Sequence, residues 1–394
     1  MSAKFRIFLM LLMFTALCFG FLHLFISGSS LYNFERLHIF LFNLCSGGTI
    51  LIYFTEGRKR LTPVTIMFLI LSLIFAGVAF LKIYSIAIVL AVALAVIVDS
   101  IRIRKFSIFP KNFFEAKAAV SEKFHQASLL CLSMGLLISA IVMLNNEYLK
   151  LFYFEKLQLD TFFLGYSFPI SLITLSVIFA NMKGEKPFSR LILRLQNMGF
   201  WNVNLGVIIF FIFILFEQLI PQLVVTTILF FSVVLIYFMY NDLGVRVQQK
   251  NFLTSGMFFL WYTAITGIVY IAFEFSPAYD SQHLKYLLRM HSFASLYGWN
   301  LSGLAVICRK DDFPIRLHSN VIIAVHWITA IVLAPLGTYF KSFAVTALIG
   351  YAFILYMILF SQGTEHSTAI KSEARSQTAH ASNQALKQQD RRSL

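Results

Sequence analysis

Apolar residues run along this chain in long blocks, separated by short segments that carry most of its charge, glycine and proline. A bilayer core about 30 Å thick is crossed by about 20 apolar residues in an α-helix. A window of that size predicts twelve spans, near residues 5–27, 37–54, 64–82, 83–101, 124–145, 160–182, 198–220, 222–240, 252–274, 290–308, 317–336 and 339–360. The first block, "FRIFLMLLMFTALCFGFLHLFIS", is longer than a usual signal-peptide core and has no small-residue cleavage site, so it is expected to stay as helix one. Residues 1–360 thus read as one all-α membrane domain. Residues 361–394, rich in Ser, Gln, Ala, Lys and Arg, read as a disordered cytoplasmic tail.

Composition strengthens the membrane reading and removes other classes. The 394 residues are 59% hydrophobic and 13% charged, with 44 Phe and a mean hydropathy of +0.77; a soluble domain carries about 25% charged residues. Cys18, Cys45, Cys131 and Cys308 lie singly in apolar runs, which supports neither a disulfide framework nor a zinc site.

Charge then orients the spans. Basic residues follow the even-numbered helices: Arg58 to Arg60, Arg102 to Lys117, Lys183 to Arg194, Arg246 and Lys250, Lys310 and Arg316, and the tail; Lys4 and Arg6 precede the first. The positive-inside rule puts both termini in the cytoplasm. Topology accounts for the net charge of +14, and loops this short and scattered do not form a nucleic-acid surface.

An internal repeat underlies the twelve spans. "RLHIFLFNLCSGG" (36–48) and "RMHSFASLYGWNLSG" (289–303) both place Arg-x-His-x-Phe at the outer end of a helix, then Asn-Leu and Ser-Gly, then a basic loop ending in proline. A third copy, "LGYSFPISLITLSVIFANMKGEKP" (164–187), has Tyr166 in the histidine position. The spacing of His38, Tyr166 and His291 divides the helices into three groups of four, with helices two, six and ten equivalent.

Such a pseudo-threefold twelve-helix bundle, with histidines at the outer ends of helices two and ten, resembles subunit I of the haem-copper oxidase superfamily. It is most similar to the cytochrome cbb-type oxidases and the nitric oxide reductase large subunit. His38 followed by Gly47 and Gly48 matches the family's low-spin haem segment, and His291 followed by Gly298-Trp299-Asn300 matches its helix-ten segment. "GEKPFSRLILRLQNMGFW" and "RLHSNVIIAVHW", the latter placing His326, are similar to the segments after helices six and ten. The resemblance implies a respiratory, electron-transporting protein of a bacterial cytoplasmic membrane, with haem b as cofactor and other redox subunits as possible partners.

The departures from the family pattern matter as much. Helix ten of the family carries His-x-His, and Phe293 stands in the second place. The copper ligands are missing: Tyr166 replaces one, and "NLGVIIFFIFILF" (204–216) has no histidine. Copper with imidazole ligands cannot be built from phenylalanine and isoleucine. Oxygen or nitric oxide reduction at a haem-copper centre is therefore not expected, and no copper is.

For haem, four arrangements stay open: one on His291, one on His38, one gripped by both, or none. Arg36 and Arg289, each two residues outward of a histidine, are candidates for haem propionates or ordinary snorkelling residues. His326 is either a ligand, a proton relay or a histidine bonded to a helix carbonyl. Asp99 and Glu217 are expected at the interface, and His125 and His318 in contact with solvent. The leading expectation is a haem-binding protein in electron transfer or gas and redox response. The alternatives are a haem-free transporter or permease, lined by Asn43, Ser46, Tyr166, Asn300 and Ser302, and a non-catalytic subunit of a respiratory complex.

Overall fold

A computed structural model describes residues 1–26, 33–57, 60–152, 156–157, 163–182, 189–245, 250–276, 279–280, 282, 284–309, 317 and 319–362. His318, the loops holding Arg58, Lys59, Lys183, Lys186, Arg246, Lys310 and Arg316, and the tail from residue 363 lie outside them. The described chain is helical, and its one β feature is an isolated bridge between Met182 and Gly244.

Eleven of the described helices are long and apolar enough to cross a membrane. They are α1 (Ala3–Leu24), α2 (Phe34–Glu56), α3 (Pro63–Phe80), α4 (Tyr84–Lys105), α5 (Val120–Leu149), α6 (Phe163–Ala180), α7 (Arg190–Leu215), α8 (Leu219–Leu243), α9 (Lys250–Glu274), α11 (Asn320–Gly337) and α12 (Lys341–Phe360). Between α9 and α11 runs α10 (285–308), made of Lys285–Phe293, Ala294–Asn300 and Leu301–Cys308 end to end. Its His, Ser, Gly, Trp and Asn residues leave it too polar to count with the other eleven by composition.

Local chemistry sets the helix ends. Ser2, Asn33, Thr62 and Ser189 cap α1, α2, α3 and α7 by accepting backbone N–H bonds, and Pro63 takes the first helical position of α3, where its missing N–H costs nothing. Gly57 ends α2 at φ 64°, a left-handed conformation open to glycine at no steric cost.

The repeated helices occupy the centre. In α2, 83% of the most apolar stretch is buried and in α6 72%, against 17% in α7; in α10 every residue from Leu296 to Ile307 is buried. The three are joined by polar side chains. Asn43 of α2 donates to Ser167 Oγ of α6 at 2.9 Å, and Ser171 Oγ of α6 donates to Asn300 Oδ1 of α10 at 2.9 Å. Trp299 Nε1 donates to Ser171 at 2.9 Å. Such bonds count in a span because hydrocarbon offers no other partner. Each of the three also widens into a π-helical stretch at this level, Phe40–Gly48, Phe163–Ser167 and Ala294–Asn300. Around them the peripheral helices turn exposed Ile, Leu, Val and Phe outward, as a lipid-facing surface requires.

Candidate functional site

His38 lies on the face of α2 that meets α1 and α10. Its Nδ1 is 2.7 Å from the carbonyl oxygen of Ala16, which can only accept, so Nδ1 carries the proton. Its Nε2 is then the acceptor for the Tyr297 hydroxyl of α10. Gly20 of α1 makes room for the ring: a Cβ there would stand 3.1 Å from Nδ1. Phe42 and Tyr297 close over it at centroid distances of 6.5 and 5.5 Å.

His291 repeats the arrangement on α10. Its Nδ1 is 2.9 Å from the carbonyl oxygen of Thr263 of α9, with Thr266 Oγ1 at 3.5 Å. Gly267, one turn beyond Thr263, is the notch, its absent Cβ 3.3 Å from His291 Cε1. The side chain is half-buried, and Nε2 has no hydrogen-bond partner among the described residues. The third copy keeps the frame without an imidazole. Gly135 of α5 packs backbone to backbone on Gly165, beside Tyr166, and Cys131, one turn before Gly135, donates Sγ–H to Leu164 O at 3.1 Å.

Three short motifs therefore cradle the repeat: "ALCFG" (16–20), "CLSMG" (131–135) and "TAITG" (263–267), each a small residue followed by glycine four positions on. Sequence reasoning found helices two, six and ten and missed these partners in helices one, five and nine. The small-x-x-x-Gly pattern was the available signal, since small residues let membrane helices approach closely.

His326 of α11 is fully buried, with Nε2 donating to the carbonyl of Tyr297 at 2.6 Å and Nδ1 unpartnered among the described residues. Its ring stacks on Phe252 and tilts on Phe259. Tyr297 thus joins His38 and His326, whereas His291 belongs to a separate cluster on α9. Phe293, on the opposite side of α10 from His291, stacks on Phe21 and packs against Tyr297. That side of α10 is thus filled with hydrocarbon.

The two arginines turn away from their histidines, as residues two apart on a helix must. Arg289 donates to Thr338 Oγ1 at 2.9 Å, with its guanidinium 4.7 Å from the Tyr339 ring centroid. Arg36 lines a cleft on the α3, α4 and α5 side. His125, expected in solvent, is instead buried, its Nε2 2.8 Å from Thr55 Oγ1 and its ring flanked by Phe54 and Phe106. Thr55 and Phe54 of α2 and Phe106 at the end of α4 close around it. Asp99 pairs with Arg102 at 2.6 Å and Glu217 with Lys156 at 3.1 Å, so each carboxylate is neutralised at a helix end.

Fit to haem differs between the two histidines. His38 has both nitrogens engaged and its ring enclosed, so as folded it offers iron no ligand. His291 has one nitrogen oriented by a backbone carbonyl and the other uncommitted, the state of an axial imidazole before it binds. Among the described residues no group of three or more His, Cys, Asp or Glu is placed to hold a bare metal ion.

No family model, curated protein or solved structure matches the chain.

Proposed function

We propose that this chain is a pseudo-threefold bundle of twelve membrane-spanning helices, of the haem-copper oxidase subunit I type, that holds one haem b on His291. Its role is electron transfer or gas and redox response in a bacterial cytoplasmic membrane, alone or beside other respiratory subunits. The observation that carries this reading is the state of His291: Nδ1–H committed to the Thr263 carbonyl, Nε2 without a hydrogen-bond partner among the described residues, and the ring seated against Gly267.

A haem held there by His291 would supply a one-electron redox centre. The protein supplies the rest. The Thr263 carbonyl fixes the tautomer and raises the basicity of Nε2, and α9 holds the ring without relying on a flexible side chain. The reading leaves out copper, because Tyr166 and a histidine-free α7 give it no imidazole.

Three further observations support the architecture. The small-x-x-x-Gly motifs recur on α1, α5 and α9, each against the anchor of the next helix. At 24 residues, α10 is about 36 Å long at 1.5 Å per residue, enough to cross. Arg309 at its end donates to Ile358 O and Ser361 O of the α12 terminus, and Arg6 donates to Leu359 O. These contacts gather the N-terminus and the ends of α10 and α12 on one side, which the positive-inside rule makes cytoplasmic.

A second reading, a haem-free scaffold serving as a subunit or permease, draws on His38, whose ligand position is occupied by Tyr297. An absorption spectrum of protein produced with ample haem, with an iron assay on the same sample, separates the two. A Soret band with about one haem per chain supports the first, and colourless, iron-free protein supports the second.

A further inference from the structure

We infer that the loop joining α4 to α5, residues 106–119, is an interfacial anchor: it inserts Ile108, Phe109 and Phe114 among the lipids beside it and gathers anionic phospholipid headgroups on Arg104, Lys111 and Lys117. The inference needs only a bilayer around the protein and is independent of haem.

Exposure sets this loop apart. Ile108 is 76% exposed, Phe109 60% and Phe114 71%, and none of them belongs to a membrane-crossing helix. A connecting segment in water turns polar side chains outward, so three large apolar ones on one short loop mark an interaction surface.

The fold fixes their depth. Arg102, itself buried, donates to Ser107 O at 3.1 Å and to Ile108 O at 3.2 Å, so the chain turns back at once and Ile108 stays level with the last turn of α4. A single 3-10 turn, Lys111–Phe113, follows. At the far end Lys123 Nζ of α5 donates to Phe113 O at 3.2 Å, and the rings of Phe113 and Phe114 lie 6.5 and 5.4 Å from that of Trp201 of α7. Trp201 stands near where the basic start of α7 gives way to its apolar run, the depth at which tryptophan settles in a bilayer. Both ends of the loop are therefore pinned at headgroup level, which favours lipid over a protein that would have to bind within that layer.

The charges select the lipid. Residues 104–119 carry Arg104, Lys105, Lys111 and Lys117 against a single acid, Glu115. Lys105 is committed to the Thr55 carbonyl at 2.9 Å. Arg104, Lys111 and Lys117 are exposed, and none has a hydrogen-bond or ion-pair partner among the described residues. A zwitterionic headgroup brings its own cation to such a surface, whereas an anionic one does not. Cations set beside inserted apolar side chains are the combination that recruits anionic lipid.

The test uses the full chain in phosphatidylcholine vesicles, with Phe109→Cys carrying a polarity-sensitive fluorophore. The four native cysteines are buried or half-buried, and the unaltered protein taken through the same labelling gives the blank. A nitroxide quencher is placed near the headgroup end of the acyl chain, on phosphatidylglycerol in one sample and on phosphatidylcholine in another, at the same low mole fraction. We expect both lipids to quench, with phosphatidylglycerol about fivefold more effective, the ratio for one cation acting near a membrane surface. Arg104→Gln, Lys111→Gln and Lys117→Gln together should bring the two lipids to parity, and raised salt should narrow the gap. Equal quenching by the two lipids with the native charges in place overturns the inference, as does a preference that survives the triple change. So does a fluorophore that a water-soluble nitroxide quenches and neither lipid does, which would put the loop in water. If Phe109→Cys does not yield folded protein, the fluorophore is carried on Ile108→Cys, with the same expectations.

Discussion

The carbonyl of Thr263 accepts the Nδ1 proton of His291 at 2.9 Å, and the carbonyl of Ala16 does the same for His38 at 2.7 Å. The same clip thus appears twice in one chain, each time with a glycine one turn farther along the helix that supplies the carbonyl. The two histidines differ in burial and in what happens at Nε2, and the functional reading rests on the second difference.

The notch under His291 can be filled. Gly267→Val adds methyl groups beyond a Cβ already 3.3 Å from Cε1, so the ring must leave Thr263. The Soret absorbance of the purified variant should fall to a small fraction of the original. Gly267→Ala, which asks for only a slight shift, should keep most of it.

Gly20→Val is the matched control at His38. Its Cβ would crowd Nδ1 at 3.1 Å, and overpacking of this kind costs about 1–3 kcal/mol. Thermal unfolding in detergent should show the loss, while the absorption spectrum stays as it was.

Tyr297→Phe removes the hydroxyl that satisfies His38 and leaves a buried ring nitrogen without a donor. The expected destabilisation is about 1–3 kcal/mol, again with an unaltered spectrum. A new haem signal in this variant would mean that His38 is a ligand site masked by Tyr297.

Gly135 and Gly165 meet through their backbones, so a side chain on Gly135 has no flexible neighbour to displace. Gly135→Leu should separate α5 from α6 and give no monodisperse peak in size-exclusion chromatography of a detergent extract. By contrast, Asn300→Leu, which breaks bonds to Ser171 and to the Ser167 carbonyl, should cost about 0.6–1.7 kcal/mol, the range for interhelical hydrogen bonds in membranes. That variant should still fold.

Most of the helical layout was legible because hydrophobic length is a strong signal in a bilayer. The expected span at 64–82 is Pro63–Phe80 and that at 252–274 is Lys250–Glu274. The segment expected at 290–308 is helical as well, over 285–308, but its polar residues keep it out of the eleven. At the site, sequence spacing brought out His38, Tyr166 and His291 as equivalents. It could not tell that Tyr297 reaches back to His38, because the approach of α10 to α2 depends on tertiary packing across 259 residues of chain. Nor did it assign His125 a partner: Thr55 lies 70 residues away, on another helix. Arg36 and Arg289 sit beside the histidines in sequence, yet helical geometry turns them to other faces.

The central claim is that His291, and not His38, is the haem ligand. Reduced-minus-oxidised difference spectra of the purified protein, His38→Ala and His291→Ala, each produced with ample haem, test it most directly. The account predicts a b-type difference spectrum in the unaltered protein, retained in His38→Ala and abolished in His291→Ala although that variant remains folded. A colourless unaltered protein, or a spectrum that survives His291→Ala, would contradict it.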